Sequence, residues 1–481
     1  MKKMEKLAEF QINKTVGEEV SNKKIGFHSE MFEETSYYFK NGLRWVYPYK
    51  FNFVAHVKGR WLNSSVLDVF RREFNMETED YYIKAISTGK IKVNNNIVSH
   101  DHKLTAKDVL KTQIHRHEPP VIHEEIEFIQ NNEEVVVINK PASIPVHPCG
   151  RFRHNTIVFI LGKDYGLYNL HTIHRIDRLT SGVLMFAKTS KKARELEGLV
   201  RGRLVIKEYL ARVIGDFPRE EIVVDEPIKT VSHKIGFCTV SNDGKSSSTI
   251  FKKLSYNGES SVVRCVPKTG RMHQIRVHLQ YLGYPIINDP IYNHPTAWGE
   301  GKGKKGTLID TKKVMDELIR TRADFAECQD ELTELQLKVT KRLSDDDISS
   351  CCSNKKQKKE SIHITADHLL PLQTNMAELN TICLETNVIK ETTIISKNDD
   401  HVLKEDNETL CKKNLDNLSK MYTSSDLGME YFDAECTDCK RKWKEPSKDE
   451  LSIFLHAVTY KGPGWEYTTK MPLWASSDWK F

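Results

Sequence analysis

Between residues 120 and 300 the chain alternates short unbroken apolar runs with polar, turn-rich stretches, the pattern of a strand-rich domain. Val135-Val136-Val137-Ile138 is a β-branched run that stops at Lys140-Pro141, where a residue without an N–H ends a ladder. Val183-Leu184-Met185-Phe186-Ala187 is a second such run. It leads into Thr189-Ser190, which can cap a helix with Ala193, Leu196 and Val200 on one face. Leu204 to Ile214, closed by Gly215-Asp216, predicts another strand. Gly270-Arg271 precedes a helix whose apolar face is Met272, Ile275, Leu279 and Leu282, ended by Gly283 and Pro285. That places His273 and Arg276 together on its neighbouring polar side.

A smaller unit precedes this domain. Tyr81 to Ile86 reads as a short helix ended by Gly89, and Lys90 to Asn94 alternates as a half-buried strand does. Asn94-Asn95-Asn96 can supply a turn with positive φ. Lys84, Lys90 and Lys92 are close enough to form one basic face. A solvated helix and strand is the plainer reading of the same lysines.

Aromatic residues then mark the boundaries. Residues 301–430 hold only two, Phe325 and Tyr422, and carry Ser344-Asp345-Asp346-Asp347, Lys355-Lys356-Gln357-Lys358-Lys359 and Lys397-Asn398-Asp399-Asp400. So few large anchors cannot offset the entropy of ordering the backbone, and the stretch is expected to be mostly disordered. Leu332, Leu335 and Val339 permit one surface helix within it. Aromatics return with Phe454, Tyr460, Trp465, Tyr467, Trp474 and Trp479, which argues that the C-terminal segment packs back onto the earlier domain. The expected organisation is a 1–55 extension, a 60–115 module, a domain made of 120–300 with 449–480, and a 301–445 insertion.

Composition narrows the classes. The 72 Lys and Arg against 66 Asp and Glu leave a net charge of +6, which permits a nucleic-acid partner without requiring one. No apolar run reaches the ~18 residues of a membrane-spanning helix, so no membrane partner is expected. Met1 to Lys24 contains Glu5, Glu9, Glu18 and Glu19 and no apolar core. A secretory signal is not expected there, and cytoplasm or nucleus is favoured over the mitochondrion. Lys355 to Lys359 would suit a nuclear signal. The ten cysteines form no dense framework and are expected to be reduced.

The densest chemistry lies in His171-Thr172-Ile173-His174-Arg175-Ile176-Asp177-Arg178-Leu179-Thr180-Ser181-Gly182, a polar loop entering a buried strand. A carboxylate held among guanidinium groups stays ionised and can serve as nucleophile or general base, or simply as half of an ion pair. A protein-kinase catalytic loop is excluded because Ile176 separates Arg175 from Asp177 and no Asp-Phe-Gly or Gly-rich loop occurs. His171 and His174 lack a third metal ligand at sensible spacing. Cys436-x-x-Cys439 is a lone pair that would need two more donors for zinc, and a metal-free pair is the expectation. No Walker loop and no Gly-x-Gly-x-x-Gly is present, so no nucleotide cofactor is expected.

His174-Arg175-Ile176-Asp177-Arg178-Leu179-Thr180-Ser181-Gly182 resembles the signature of the RluA-type pseudouridine synthases. Three further segments agree in order: Asn139 to Pro148, with Ser143 where the family usually has Gly; Lys207-Glu208-Tyr209-Leu210-Ala211; and Lys268 to Leu279. Pro285-Ile286-Ile287-Asn288-Asp289 follows, with Asn288 where Gly is usual. Residues 77–105 resemble the S4-type RNA-binding module that often precedes such a domain. His115 to Pro120 and Leu455 to Trp474 resemble the eukaryotic branch of the family.

The resemblance implies an α+β fold, a mixed and largely antiparallel sheet flanked by helices, with a small S4-like module ahead of it. It implies an isomerase that needs no cofactor and no metal and that converts uridine to pseudouridine in RNA: tRNA first, with mRNA or rRNA as alternatives. Asp177 would act as nucleophile at C1′ or as the base that starts glycal formation. Arg276 would hold Asp177, and Tyr209 would stack on the target base. Arg175 would fill the space left by the everted nucleotide. Lys140, His174, Arg178 and His273 would contribute to the substrate site, and Lys84, Lys90 and Lys92 would bind RNA. A monomer is expected. A catalytically idle RNA-binding protein is the competing reading from another class.

Overall fold

The computed structural model describes residues 29–74, 77–233, 235–299, 303–306, 310–321, 421–422, 427–441 and 443–480. Two compact units divide the chain. The larger holds Met1–Gln329, Thr423–Lys442 and Pro446–Phe481, and the second holds Asp330–Tyr422 with Trp443–Glu445. In the second, Met421–Tyr422 pairs antiparallel with Trp443–Lys444. Leu332, Leu335, Val339, the acidic runs and Lys355 to Lys359 lie outside the described residues.

The first part of the larger unit is a small α+β module. Strand β1 (Tyr49–His56), helices α1 (Val66–Glu73) and α2 (Glu79–Ser87), and strands β2 (Ile91–Val93) and β3 (Val109–Arg116) follow in order. The sheet runs β1-β3-β2. Ser65 and Thr78 cap the helices by accepting from Asp68 N and Tyr81 N. Gly89 follows α2 with φ +76°, and Asn94 and Asn95 turn the chain at φ 52° and 67°, as the asparagine run predicts. Trp61, Val69, Phe70, Tyr82, Ile86, Ile91 and Leu110 form its core. The module starts before residue 60, because Tyr49–His56 pairs along its whole length with β3.

The second part is the large sheet. Its strands are β4 (Glu127–Asn131), β5 (Val135–Lys140), β6 (Ser181–Ala187), β7 (Ile206–Ile214), β8 (Ile222–Val224), β9 (Thr249–Tyr256), β10 (Ser260–Pro267), β11 (Leu455–Gly462) and β12 (Trp465–Thr468). They are ordered β8-β9-β10-β7-β11-β6-β5-β4, with β12 paired to β11. Only the β6–β11 contact in that row is parallel. The fold is therefore α+β with a mixed, largely antiparallel sheet, as expected. Helix α3 (Ile157–Tyr165), helix α4 (Ser190–Arg201) and helix α5 (Gln274–Leu282) flank it. None of the described helices is long and apolar enough to cross a membrane.

The C-terminal aromatics do pack back, and more deeply than a docked tail. Strand β11 is inserted between β7 and β6 at the middle of the sheet. Gly182 permits this. A Cβ there would lie 2.2 Å from the Ala457 carbonyl oxygen, and its φ is +111°, a conformation that side chains rarely adopt.

Two parts of 301–445 belong to the folded unit, against the expectation from aromatic content. Helix α6 (Thr311–Thr321) buries Val314, Leu318 and Ile319, and Thr296 Oγ1 donates to Glu317 at 2.5 Å. Aliphatic residues at i, i+4 and i+5 are enough to anchor a helix, so a count of aromatics misses it. Residues 427–441 also return to the small module. Glu435 pairs with Lys84 and Lys90 of that module, each at 2.6 Å.

Candidate active site

Asp177 sits in the loop between the bridge at His171–Thr172 and β6. The buried strand carries the loop: Thr180 N donates to the Asp177 carbonyl at 3.1 Å, and Leu179 is buried. Arg276 enters from α5, 99 residues further on, and places Nη1 3.4 Å from Asp177 Oδ2. The guanidinium is 3 % exposed and the carboxylate 29 %, so the arginine is a fixed donor and the aspartate faces outward.

Asp289 fixes that arginine. Arg276 Nε and Nη2 donate to Asp289 Oδ2 and Oδ1 at 2.7 and 2.9 Å, a bidentate pair of the strong kind. Ile291 N and Tyr292 N also donate to Asp289 Oδ1. Burial works to raise the Asp289 carboxyl, but the guanidinium and these amides hold it below its usual range. The Tyr292 ring lies under Arg276, with 5.0 Å from Cζ to the centroid. Two faces of the guanidinium are thus spent on support, and only Nη1 is aimed at Asp177.

The pattern reading puts His273 and Arg276 together on the polar side of α5, and the structure shows that this side is largely covered as well. Gln274, Arg276, His278 and Gln280 are all buried. They are satisfied inside: Gln274 Nε2 donates to Ser248 O and Thr249 Oγ1, both at 2.9 Å, and His278 Nδ1 lies 2.9 Å from Thr249 Oγ1. His273 is the residue just before the helix, at φ 55°. Its Nε2 lies 3.8 Å from Asp177 Oδ2 and its Nδ1 3.0 Å from Tyr292 OH. Burial, with Arg276 beside it, lowers the imidazole to about 4. It is therefore neutral near pH 7.

Tyr209 comes from β7 and is buried. Its hydroxyl shares a 2.6 Å hydrogen bond with Tyr460 OH, contributed by the inserted β11. Burial, and to a lesser degree the Asp177 charge, push the phenol up, so it stays protonated.

Not every expected residue faces the same hollow. Arg175 is exposed, with Nη1 3.4 Å from His147 Nε2. Lys140 does not line the site with its ammonium. It is fully buried and donates to the carbonyls of Pro141, Ile144 and Arg178 at 2.7, 2.9 and 3.2 Å. Lys140 therefore ties the first motif to the Asp177 loop from behind. Burial lowers it to about 7. His174 turns inward, its ring 5.0 Å from that of Tyr460, with Nε2 accepting from Met185 N. Arg178 lies over Phe152, 5.4 Å from Cζ to the ring centroid. A lysine or histidine in a polar loop reads as a ligand-facing group in sequence, and only packing shows which way it points.

Lys84 and Lys90 both reach Glu435, each at 2.6 Å. Lys92 lines a shallow hollow with Asn52, Lys90, Lys111 and Gln113. The basic face is therefore partly engaged by the chain itself. The Cys436–Cys439 pair is not isolated either: His115 and His117 stand against it.

The two departures from the family pattern are both used. Ser143 adopts φ 71°, which explains the usual Gly, and its Oγ accepts from Ile122 N at 2.7 Å. Asn288 Oδ1 accepts from Phe454 N at 2.8 Å and its Nδ2 donates to Ser452 O, which docks the strand that supplies Tyr460. We expect Ser143→Ala to destabilise by about 1–3 kcal/mol, through the orphaned amide of Ile122. Ser143→Gly should cost less, because relief of the left-handed strain offsets part of the loss. Urea melts of the two variants check the order.

A carboxylate set in a rigid loop, held by a clamped arginine beside a buried tyrosine pair, can serve as a nucleophile or a general base. The RNA pseudouridylate synthase family profile matches residues 134–281. Human Pseudouridylate synthase RPUSD2 is 42% identical over 461 residues, covering 95% of this chain and 78% of that one. The chain belongs to the RluA-type pseudouridine synthase family and is an RNA-modifying isomerase. Mitochondrial tRNA pseudouridine(32) synthase of Saccharomyces cerevisiae is 40% identical over 283 residues, covering 58% of this chain and 61% of that one. RNA pseudouridine synthase 7 of Arabidopsis thaliana is 42% identical over 274 residues, covering 55% and 69%.

The yeast relative overturns the ranking of compartments. A relative that matches over 58% of this chain is a mitochondrial enzyme, so placing the mitochondrion behind cytoplasm and nucleus does not stand. That ranking leaned on four glutamates in the first residues.

Proposed function

We propose that this chain isomerises uridine in tRNA and that Asp177 acts at the ribose, as nucleophile at C1′ or as the base that opens the route through a glycal. The observation that carries the reading is the Arg276 Nη1–Asp177 Oδ2 contact of 3.4 Å, on a guanidinium clamped by a buried carboxylate. In the reaction the N1–C1′ bond breaks, the base turns, a C5–C1′ bond forms, the C5 proton leaves to solvent and N1 takes up a proton in its place. Atoms and electrons balance without a redox partner. The target must leave its stack, which costs a few kcal/mol and less in a loop. Tyr209 offers the base an aromatic face and a hydroxyl held by Tyr460, and Arg175 stands at the exposed rim to occupy the vacated space. Lys92, with Lys84 and Lys90 beside it, supplies an S4-like RNA contact.

The relatives support tRNA as the substrate. Two yeast enzymes, the one acting at tRNA position 32 and another named tRNA pseudouridine(31) synthase, match at 40% and 37% identity. The test is release of tritium from tRNA labelled at uridine C5, using the full chain. Label should leave in proportion to pseudouridine formed. Release from mRNA or rRNA fragments but not from tRNA would overturn the substrate, and tight tRNA binding with no release from any RNA would favour an idle binder.

A further inference from the structure

Four side-chain atoms converge at the end of the small module's sheet. His115 lies near the end of β3 and His117 just beyond it. Cys436 stands at the N-terminus of a single short turn of helix, Thr437–Lys440, and Cys439 lies within it. His115 Nδ1 and His117 Nε2 are 3.1 Å apart. Cys439 Sγ lies 3.3 Å from His115 Nδ1 and 3.4 Å from His117 Nε2, and Cys436 Sγ 3.5 Å from His117 Nε2. All four atoms fall within 4.8 Å of one another.

We propose that His115, His117, Cys436 and Cys439 bind one zinc ion that clasps the returning 427–441 segment to the small N-terminal module. Zinc takes imidazole nitrogen at about 2.0–2.1 Å and thiolate sulfur at about 2.3 Å in a tetrahedron. The edges of such a tetrahedron are about 3.3–3.4 Å for N···N and about 3.6 Å for N···S. Four of the separations, 3.1–3.5 Å, lie close to those edges, and with every atom within 4.8 Å of the others a small inward shift brings all four onto one centre. A two-nitrogen, two-sulfur tetrahedral set favours zinc over magnesium or calcium, which prefer oxygen; a Rieske-type [2Fe–2S] centre also uses two His and two Cys, but on two separate irons, whereas Cys439 Sγ here lies 3.3–3.4 Å from both imidazole nitrogens.

The surroundings suit a structural ion. Cys439 is 1 % exposed, and Asp433 N donates to its Sγ at 3.3 Å, the kind of outer contact that orients a thiolate ligand. With all four positions taken by protein, no place remains for substrate, so the role is structural. Binding converts two thiols to thiolates and passes their two protons to solvent. Cys436 and His115 are 321 positions apart, so the ion would close a very long loop, where a cross-link removes much unfolded-state freedom. Neighbouring contacts run the same way: Arg151 Nη2 meets Asp438 Oδ2 at 3.3 Å, Thr437 Oγ1 donates to Glu77, and Glu435 sits between Lys84 and Lys90.

The alternative is a metal-free network of S–H···N bonds, and one measurement separates the two. Full-length protein expressed in zinc-replete medium is desalted and assayed for metal by mass spectrometry. We expect about one zinc per chain, and less than about a tenth of that in Cys439→Ser and in His117→Asn. Wild-type protein that carries no zinc, and takes none from a micromolar colorimetric competitor, overturns the site. Because the variants could fail to fold, cobalt(II) is also added to metal-depleted wild type. A tetrahedral visible spectrum with a thiolate-to-cobalt charge-transfer band is the expected result, and the weak spectrum of an octahedral aqua ion overturns it.

Discussion

Asp177→Asn should abolish turnover while leaving RNA affinity within a few-fold. Asparagine has the size of the native side chain, and its Oδ1 can still accept from Arg276 Nη1, the donor now 3.4 Å from Asp177 Oδ2. Packing and RNA contacts are therefore kept. What disappears is the negative charge, and with it the capacity to attack C1′ or take a ribose proton. Loss of about four orders of magnitude, or about 5.5 kcal/mol of barrier, is the expected size. Single-turnover tritium release gives the rate and filter binding gives the affinity. A variant that retains a tenth of the wild-type rate would remove Asp177 from the chemistry.

Asp289→Ala should cost about 3–5 kcal/mol of stability, because it strands a buried guanidinium. Arg276 is 3 % exposed and Asp289 is fully covered, so water cannot take the place of the lost carboxylate. Turnover should fall by more than the folded fraction explains, since Nη1 would no longer be aimed at Asp177. Asp289→Asn keeps the acceptor for the amides of Ile291 and Tyr292 and should sit between wild type and the alanine variant. Denaturant midpoints measure the first effect, and kcat at a temperature where each variant is folded measures the second. A melt within about 1 kcal/mol of wild type would show that the clamp adds little.

Asp289 also shows the limit of reading a site from sequence. It is visible only as the last residue of Pro285 to Asp289, with nothing to say that its partner is Arg276. Tyr460 is similar. Its aromatic character announces burial, but its pairing with Tyr209 depends on β11 entering the sheet beside β7. Lys140 and His174 show the converse. Their residue types promise contact with substrate, yet one spends its charge on three carbonyls and the other packs on a tyrosine ring.

Local order carried much of the fold. The β-branched runs, the Thr189 cap, the Gly89 stop and the Gly283 end all appear where the pattern puts them, because each depends on neighbours a few residues away. Helix α6 escaped, since its burial rests on aliphatic spacing rather than on aromatic anchors.

By itself, then, the chain's order of residues determined the strand and helix menu, the location of the Asp177 loop and the class of chemistry it could support. Tertiary structure alone decided that Arg276 is shared between Asp289 and Asp177, that β11 supplies Tyr460, and that two histidines meet two cysteines more than three hundred positions away. The reason is one of range. Backbone propensity and capping act over a few residues, whereas the aim of a buried charge is set by whichever distant groups the fold packs around it.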